Sequence, residues 1–359
     1  MRSLYAAALL FAFTLTASAF DPVVAGRLLR FPDDAGAHPG HRVEWWYVTG
    51  HLDSAEGPFG FQVTFFRVRH KDAESNPSRF SPRQILFAHA AISDPRRAKI
   101  THDQRIARSL PPIVEARAGA TDVRIEDWTL KRDESVYRTR VSADGFQLDL
   151  AFAPTQPVLL QGDRGFSRKG PVRGQSLRGQ DQEPASYYYS EPQLAVSGRI
   201  AVGPRSMEVS GVAWLDHEWA SELLVSGAVG WDWIGVNLDD GGALMAFRIR
   251  DGAGQTVWAG ATLRGPKGEP RSLPPEAVIF TPRRSWKSPR TGTSYPVGME
   301  LSLEGRAWRV IPMLDDQELD ARSSTGTLYW EGAVRVEGPA GEKGRGYPEL
   351  TGYAQRLPF

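Results

Sequence analysis

The sequence predicts an all-β protein built from two similar units, and three observations carry that reading. A chain of 359 residues is too long for one ordinary core and fits about two domains. It holds 36 glycines and 26 prolines, more than one residue in six, set between runs of strand-type residues. An aromatic hairpin also occurs twice. In Gly211–Arg250, which carries four of the eleven tryptophans, Trp231, Trp233, Gly235 and Asn237 alternate with Asp232, Ile234, Val236 and Leu238. Side chains alternate on a strand, so the two sets take opposite faces. Asp239-Asp240-Gly241-Gly242 is a turn signal, and Ala243–Ile249 returns as the second strand. The earlier stretch Glu44–Val68 repeats the pattern, with Trp45-Trp46-Tyr47 in place of Trp231-Asp232-Trp233. The offset reads as 186 residues before the turn and 182 after it. One repeat at half the chain length points to paired domains rather than a solenoid.

In chain order, residues 1–19 read as a secretory signal: Arg2, an apolar run from Leu4 to Leu15, and an Ala17-Ser18-Ala19 cleavage site before Phe20. The run is short for a membrane span and no later stretch approaches one, so the expectation is a periplasmic or secreted protein, not an integral membrane protein. After a turn-rich start and the first hairpin, Arg83–Ser93 reads as a strand carrying His89. Arg96–Arg108 is charged, and a short helix is expected within it. Asp122–Trp128, Tyr137–Val141 and Gly145–Phe152 read as three strands, the last two joined through Asp144-Gly145, a spacing that suits a barrel or a sandwich. Pro154–Pro184 is the expected linker region. The units are therefore placed at 20–192 and 193–359, with Leu194–Val202 and Ser206–Trp214 opening the second. Further strands are expected at Thr256–Arg264, Val278–Thr281, Met299–Leu303, Ala307–Ile311 and Gly326–Val336, before a closing segment with Gly352 and Tyr353.

Composition removes several functions. With 43 basic and 42 acidic residues the net charge is +1, which leaves no footprint for nucleic acid. Without cysteine there is no disulfide, thiol chemistry or thiolate metal site. Neither a Gly-rich phosphate loop nor a G-x-S-x-G elbow occurs, so no cofactor is expected.

The chemically suggestive residues are Asp216, His217 and Glu218, flanked by Trp214 and Trp219. On a strand Asp216 and Glu218 share a face and His217 takes the other. Three adjacent residues cannot readily hold one ion, and no metal is expected. A carboxylic acid in an aromatic pocket keeps its proton and can donate it. The alternative is structural: ion pairs from the triplet to Arg67 or Arg248 between two barrels.

Several segments resemble the AttH and carotenoid 1,2-hydratase (hydroxyneurosporene synthase-like) family. They include Glu44-Trp45-Trp46-Tyr47, Ala88-His89-Ala90, Tyr187-Tyr188-Tyr189-Ser190, Gly211 to Trp219, Gly230-Trp231-Asp232-Trp233, Tyr329-Trp330-Glu331-Gly332 and Gly346 to Tyr353. The resemblance implies two lipocalin-like (calycin-type) antiparallel β-barrels packed side by side. It also implies site roles for His217 and Trp219. The family's hydratases place a Tyr and an Asp further along, where this chain offers Met245 and Phe247. Two functions are expected. One is an exported protein holding a lipid or isoprenoid in an aromatic cavity lined by Trp45, Trp46, Tyr47, Tyr188, Trp214, Trp219, Trp231 and Trp233, with a cell-envelope transporter as partner. The other is a hydro-lyase or cyclase, with Asp216, His217 and Glu218 catalytic on a terminal prenyl double bond.

Overall fold

The computed structural model describes residues 20–70, 76–78, 80–171, 184–222 and 224–357. The expected signal segment, residues 1–19, lies outside the described residues, as does part of the expected linker.

Two antiparallel sheets form the molecule, each curled around its own core into a lipocalin-like barrel, and the barrels lie side by side. The first runs in the order Lys99–Arg108, Gln84–Asp94, Gly57–Arg69, Val43–Ser54, Arg205–Ala220, Ala185–Val202, Phe146–Ala153, Val136–Ala143, Trp128–Asp133, Asp122–Ile125 and Val114–Ala116. The second runs in the order Arg271–Leu273, Thr256–Arg264, Ala243–Asp251, Ala228–Leu238, Lys343–Leu350, Val334–Glu337, Arg306–Pro312, Ser294–Leu303 and Val278–Lys287. Gln193, the expected start of the second unit, lies inside Ala185–Val202 at a bulge with φ 57°. Among the described residues the chain passes from the first sheet to the second between Ala220 and Ala228, so the strands expected to open the second unit belong to the first sheet.

The short helix expected in Arg96–Arg108 is absent. A single 3-10 turn, Pro95–Arg97, is capped by the Asp94 side chain and stopped by Ala98 at φ 53°, and Lys99–Arg108 follows as a strand. A proline at the start and a left-handed residue at the end leave no room for a longer helix.

Both hairpins form. Their register corrects one detail of the repeat. Tyr47 faces Thr64, and Trp233 faces Phe247, so the returning strands correspond at an offset of 183 rather than 182. A one-residue slip matters because it exchanges the two faces of a strand.

Burial shows where the strands sit. Phe146–Ala153 alternates buried and exposed, as a barrel wall facing water does. Val43–Ser54, Arg205–Ala220, Ala228–Leu238 and Ala243–Asp251 carry long runs buried on both faces. One face of each packs on its barrel's core: Trp46, Val48, Leu215 and Trp219 in the first, Ile234, Val236, Leu244 and Ala246 in the second. The other faces meet in a third apolar cluster between the barrels, which includes Tyr47, Tyr188, Trp214, Trp233, Met245, Phe247 and Tyr347.

Candidate active site between the barrels

The third cluster is not closed. A cavity of about 130 Å³ opens beside it, lined from the first sheet by Trp45, Tyr47, Phe66, His89, Tyr188, Asp216 and Glu218, and from the second by Trp231, Trp233, Phe247, Ile249, Tyr329, Glu331 and Glu349. A cavity of roughly 150 Å³ holds a benzene, so this space takes a group of about five or six carbons. Gly235 lets Trp214 and Trp233 pack closely beside it, since an added Cβ there would stand 2.8 Å from the Trp233 ring and 3.0 Å from that of Trp214.

Each wall presents carboxyl groups. On the first, Asp216 is 3% exposed and accepts hydrogen bonds from Tyr188 Oη at 2.7 Å, Ser190 Oγ at 2.5 Å and Trp214 Nε1 at 2.6 Å. Burial raises its pKa to about 7, against those three bonds and with help from the nearby Glu218. Glu218 pairs with Lys169 Nζ at 2.7 Å, and that ammonium lies 4.5 Å from the Phe247 ring centre. On the second wall, Glu331 and Glu349 stand directly opposite each other on neighbouring strands. Glu331 accepts from Tyr47 Oη at 2.9 Å with the Tyr329 hydroxyl close by, and its Oε1 has no well-formed bond among the described residues. Burial, then the charge of Glu349, pushes the Glu331 pKa well above the carboxylate range. Burial also lifts Glu349 to about 7, although it accepts from Trp231 Nε1 at 2.9 Å. Two carboxyls so placed cannot both ionise cheaply, so the pair holds a proton at neutral pH. The walls are tied together: Trp233 Nε1 donates to Tyr188 Oη at 2.9 Å, and Tyr47 reaches across to Glu331.

The two barrels place acids at one equivalent position. Tyr47 pairs across its ladder with Asp216, and its counterpart Trp233 pairs with Glu349.

Of the residues singled out from sequence, Trp45, Tyr47, Tyr188, Asp216, Glu218, Trp231 and Trp233 line the cavity, and Trp214 backs Asp216. Trp46, His217 and Trp219 point the other way, into the first barrel. There the His217 ring stacks on Trp46 at 4.6 Å, and its Nε2–H donates to Glu44 at 2.9 Å. Burial lowers the His217 pKa to about 4, so the ring is neutral. The triplet pairs with neither expected arginine: Arg67 binds Glu44 at 2.8 Å and Arg248 binds Asp232 at 2.7 Å.

His38, Glu44 and His217 bring three potential metal-ligand atoms together. The two imidazole nitrogens stand 2.7 and 2.9 Å from Glu44 Oε1. Those are hydrogen-bond lengths, shorter than the edge of about 3.3 Å that ~2.0 Å bonds give in a tetrahedral zinc site. Arg67 occupies the other Glu44 oxygen, so the group forms a buried hydrogen-bond network that fastens the segment around His38 to the barrel.

Sequence reasoning did not select Glu331, Glu349, Tyr329 or Lys169. The first three had a signal: in Tyr329-Trp330-Glu331 and Tyr347-Pro348-Glu349 an aromatic ring and a carboxyl alternate on one strand face. Lys169 follows a three-residue strand and had none.

The AttH-like family profile matches residues 22–353. A crystal structure of an AttH from Nitrosomonas europaea is 48% identical, with a TM-score of 0.85 over 93% of this chain and all of that one. Kievitone hydratase from Nectria haematococca shares the fold at 16% identity, with a TM-score of 0.68 over 94% of this chain and 97% of that one. No curated protein matches the chain. The chain belongs to the AttH-like family.

Proposed function

We propose that the chain binds a hydrophobic alkene in the cavity between its barrels and adds water across the double bond by acid catalysis. The observation that carries this reading is that the Glu331–Glu349 pair from one sheet and Asp216 from the other line a single aromatic-rich cavity. The fold shared with a hydratase agrees with it. Glu331, whose Oε1 is free to carry a proton, is the donor. Proton transfer to the less substituted alkene carbon leaves a tertiary cation, and the faces of Trp45, Trp231, Trp233 and Phe247 stabilise it. Water adds to the cation and gives its proton to Asp216 on the opposite wall. The donor and acceptor sit in environments that set their pKa values apart, as acid–base pairs require. The space matches a single prenyl end, about five carbons, of a longer compound.

Turnover of geranylacetone, a prenyl-ended ketone, in heavy-oxygen water tests this. The expected product is the tertiary alcohol carrying one labelled oxygen. Glu331→Gln lowers its formation by about 1000-fold, within the range for losing a general acid. The same variant still quenches tryptophan fluorescence on binding the probe. Equal rates in both proteins would refute the assignment. Probe binding without turnover in the wild type would leave the cavity a carrier site, a reading favoured by its largely aromatic lining.

We also take the chain to be exported, on the strength of Arg2, the apolar run and Ala17-Ser18-Ala19. A mature protein beginning at Phe20, read from its intact mass after expression in a bacterium, tests that. No described helix is long and apolar enough to cross a membrane.

A further inference from the structure

Resting on that reading, we infer that the same cavity also moves the double bond, acting as an alkene isomerase with a proton donor on one wall and a proton acceptor on the other. Three geometric facts point there. The acids come from different sheets, Asp216 from the first and Glu331 with Glu349 from the second, so a ligand between them is flanked on both sides. The Asp216 oxygens are held by Tyr188, Ser190 and Trp214, with a single bond at Oδ2, which leaves that oxygen a lone pair. The surrounding surface is mostly ring and aliphatic carbon, which stabilises a cation long enough for a neighbouring C–H bond to lose its proton in competition with water addition.

The step balances without a co-reactant. The Glu331 proton bonds to the less substituted alkene carbon, and the π electrons form that C–H bond. A C–H bond on a carbon next to the cation then breaks, its electron pair becomes the new π bond, and the proton passes to Asp216. Exchange with water in the cavity restores both groups.

Incubating the full chain with geranylacetone in deuterium oxide, followed by proton NMR and mass spectrometry of the recovered alkene, tests the inference. The expected result is deuterium at the prenyl carbons of unreacted ketone, together with the isomer whose double bond has moved to the chain end. Asp216→Asn lowers this exchange by at least about 100-fold, the lower end for a general base. Asp216→Glu, which keeps a carboxylate on that wall, retains part of it. Alcohol formation with no deuterium at the prenyl carbons of the recovered ketone overturns the isomerase and leaves the hydratase standing. Neither alcohol nor exchange overturns both. Exchange unchanged in Asp216→Asn shows that the acceptor is another group, and overturns the two-wall assignment.

Discussion

Replacing Asp216 by Asn separates two contributions to stability that have different pH dependence. In the folded protein burial lifts the Asp216 pKa from 3.8 to about 7. A carboxyl with a raised pKa binds its proton more tightly when folded. Its contribution is fully present below the unfolded value and is lost as pH rises towards the folded one. Between pH 5 and pH 7 the folded chain holds this proton and the unfolded chain does not. At 1.36 kcal/mol per unit, the wild type loses about 2 to 3 kcal/mol over that window from this one group. Above the folded pKa the loss levels off. The amide in Asp216→Asn has no such proton to lose, so the variant lacks this component. It carries instead a nearly pH-independent cost from weaker acceptance of the Tyr188, Ser190 and Trp214 donors, on the order of 1 to 2 kcal/mol. The buried histidines titrate in both proteins and cancel in the comparison. Urea unfolding at pH 5 and pH 8 should therefore show Asp216→Asn clearly less stable than wild type at pH 5. The gap should shrink or reverse at pH 8. A gap that is the same at both pH values would refute the reasoning, since Asp216 would then be ionised in the fold throughout.

Three further outcomes are expected. Asp232→Ala strands the buried guanidiniums of Arg248 and Arg250, which now bind Asp232 at 2.7 and 2.9 Å, and should cost about 3 to 5 kcal/mol in urea unfolding. His217→Ala removes the stacking on Trp46 and a buried bond to Glu44, and should cost about 2 to 4 kcal/mol. Its turnover per folded molecule should stay within about twofold, because the ring points away from the cavity. Hydration should speed up as pH rises through about 7, where Asp216 becomes a base, and slow again once the Glu331–Glu349 pair loses its proton; a rate that falls steadily from pH 5 would contradict the division of roles.

What could be read from the sequence was whatever depends on local alternation. Trp231 and Trp233 on one face, with Ile234 and Val236 on the other, is a period-two statement, and it places both hairpins correctly. The same period separated Asp216 and Glu218 from His217. The resemblance assigned His217 and Trp219 to a site, but a resemblance carries no facing. Strand pairing at long range was out of reach: Glu331 meets Glu349 only because Thr327–Glu331 joins Lys343–Leu350, and both reach Asp216 only across the barrel interface. The change of sheet was misplaced for a similar reason. The turn-rich Pro154–Pro184 stretch looks like a boundary, yet the chain goes on to add two long strands, Ala185–Val202 and Arg205–Ala220, to the sheet it has already built.

The repeat explains why the site lies between the barrels rather than inside one. In each barrel the face turned inward carries its own buried carboxylate–arginine pair. Glu44 binds Arg67 in the first, and Asp232 binds Arg250, the equivalent of Arg67 at the offset of 183, in the second. An ion pair packed among rings holds its carboxylate ionised, which leaves it no proton to give. On the outward faces Glu218 pairs with Lys169, but among the described residues Asp216, Glu331 and Glu349 have no cationic partner. Asp216 and Glu349 occupy the same ladder position of the two units, and both bind tryptophan N–H groups rather than arginines. Pairing each with a guanidinium would have lowered its pKa and made it useless as an acid. When two such faces pack together, aromatic rings of both sheets shield the acids from solvent, and the cavity that results carries carboxyls from both sheets. In the proposed hydration the donor and the acceptor then come from different barrels, and neither barrel supplies both.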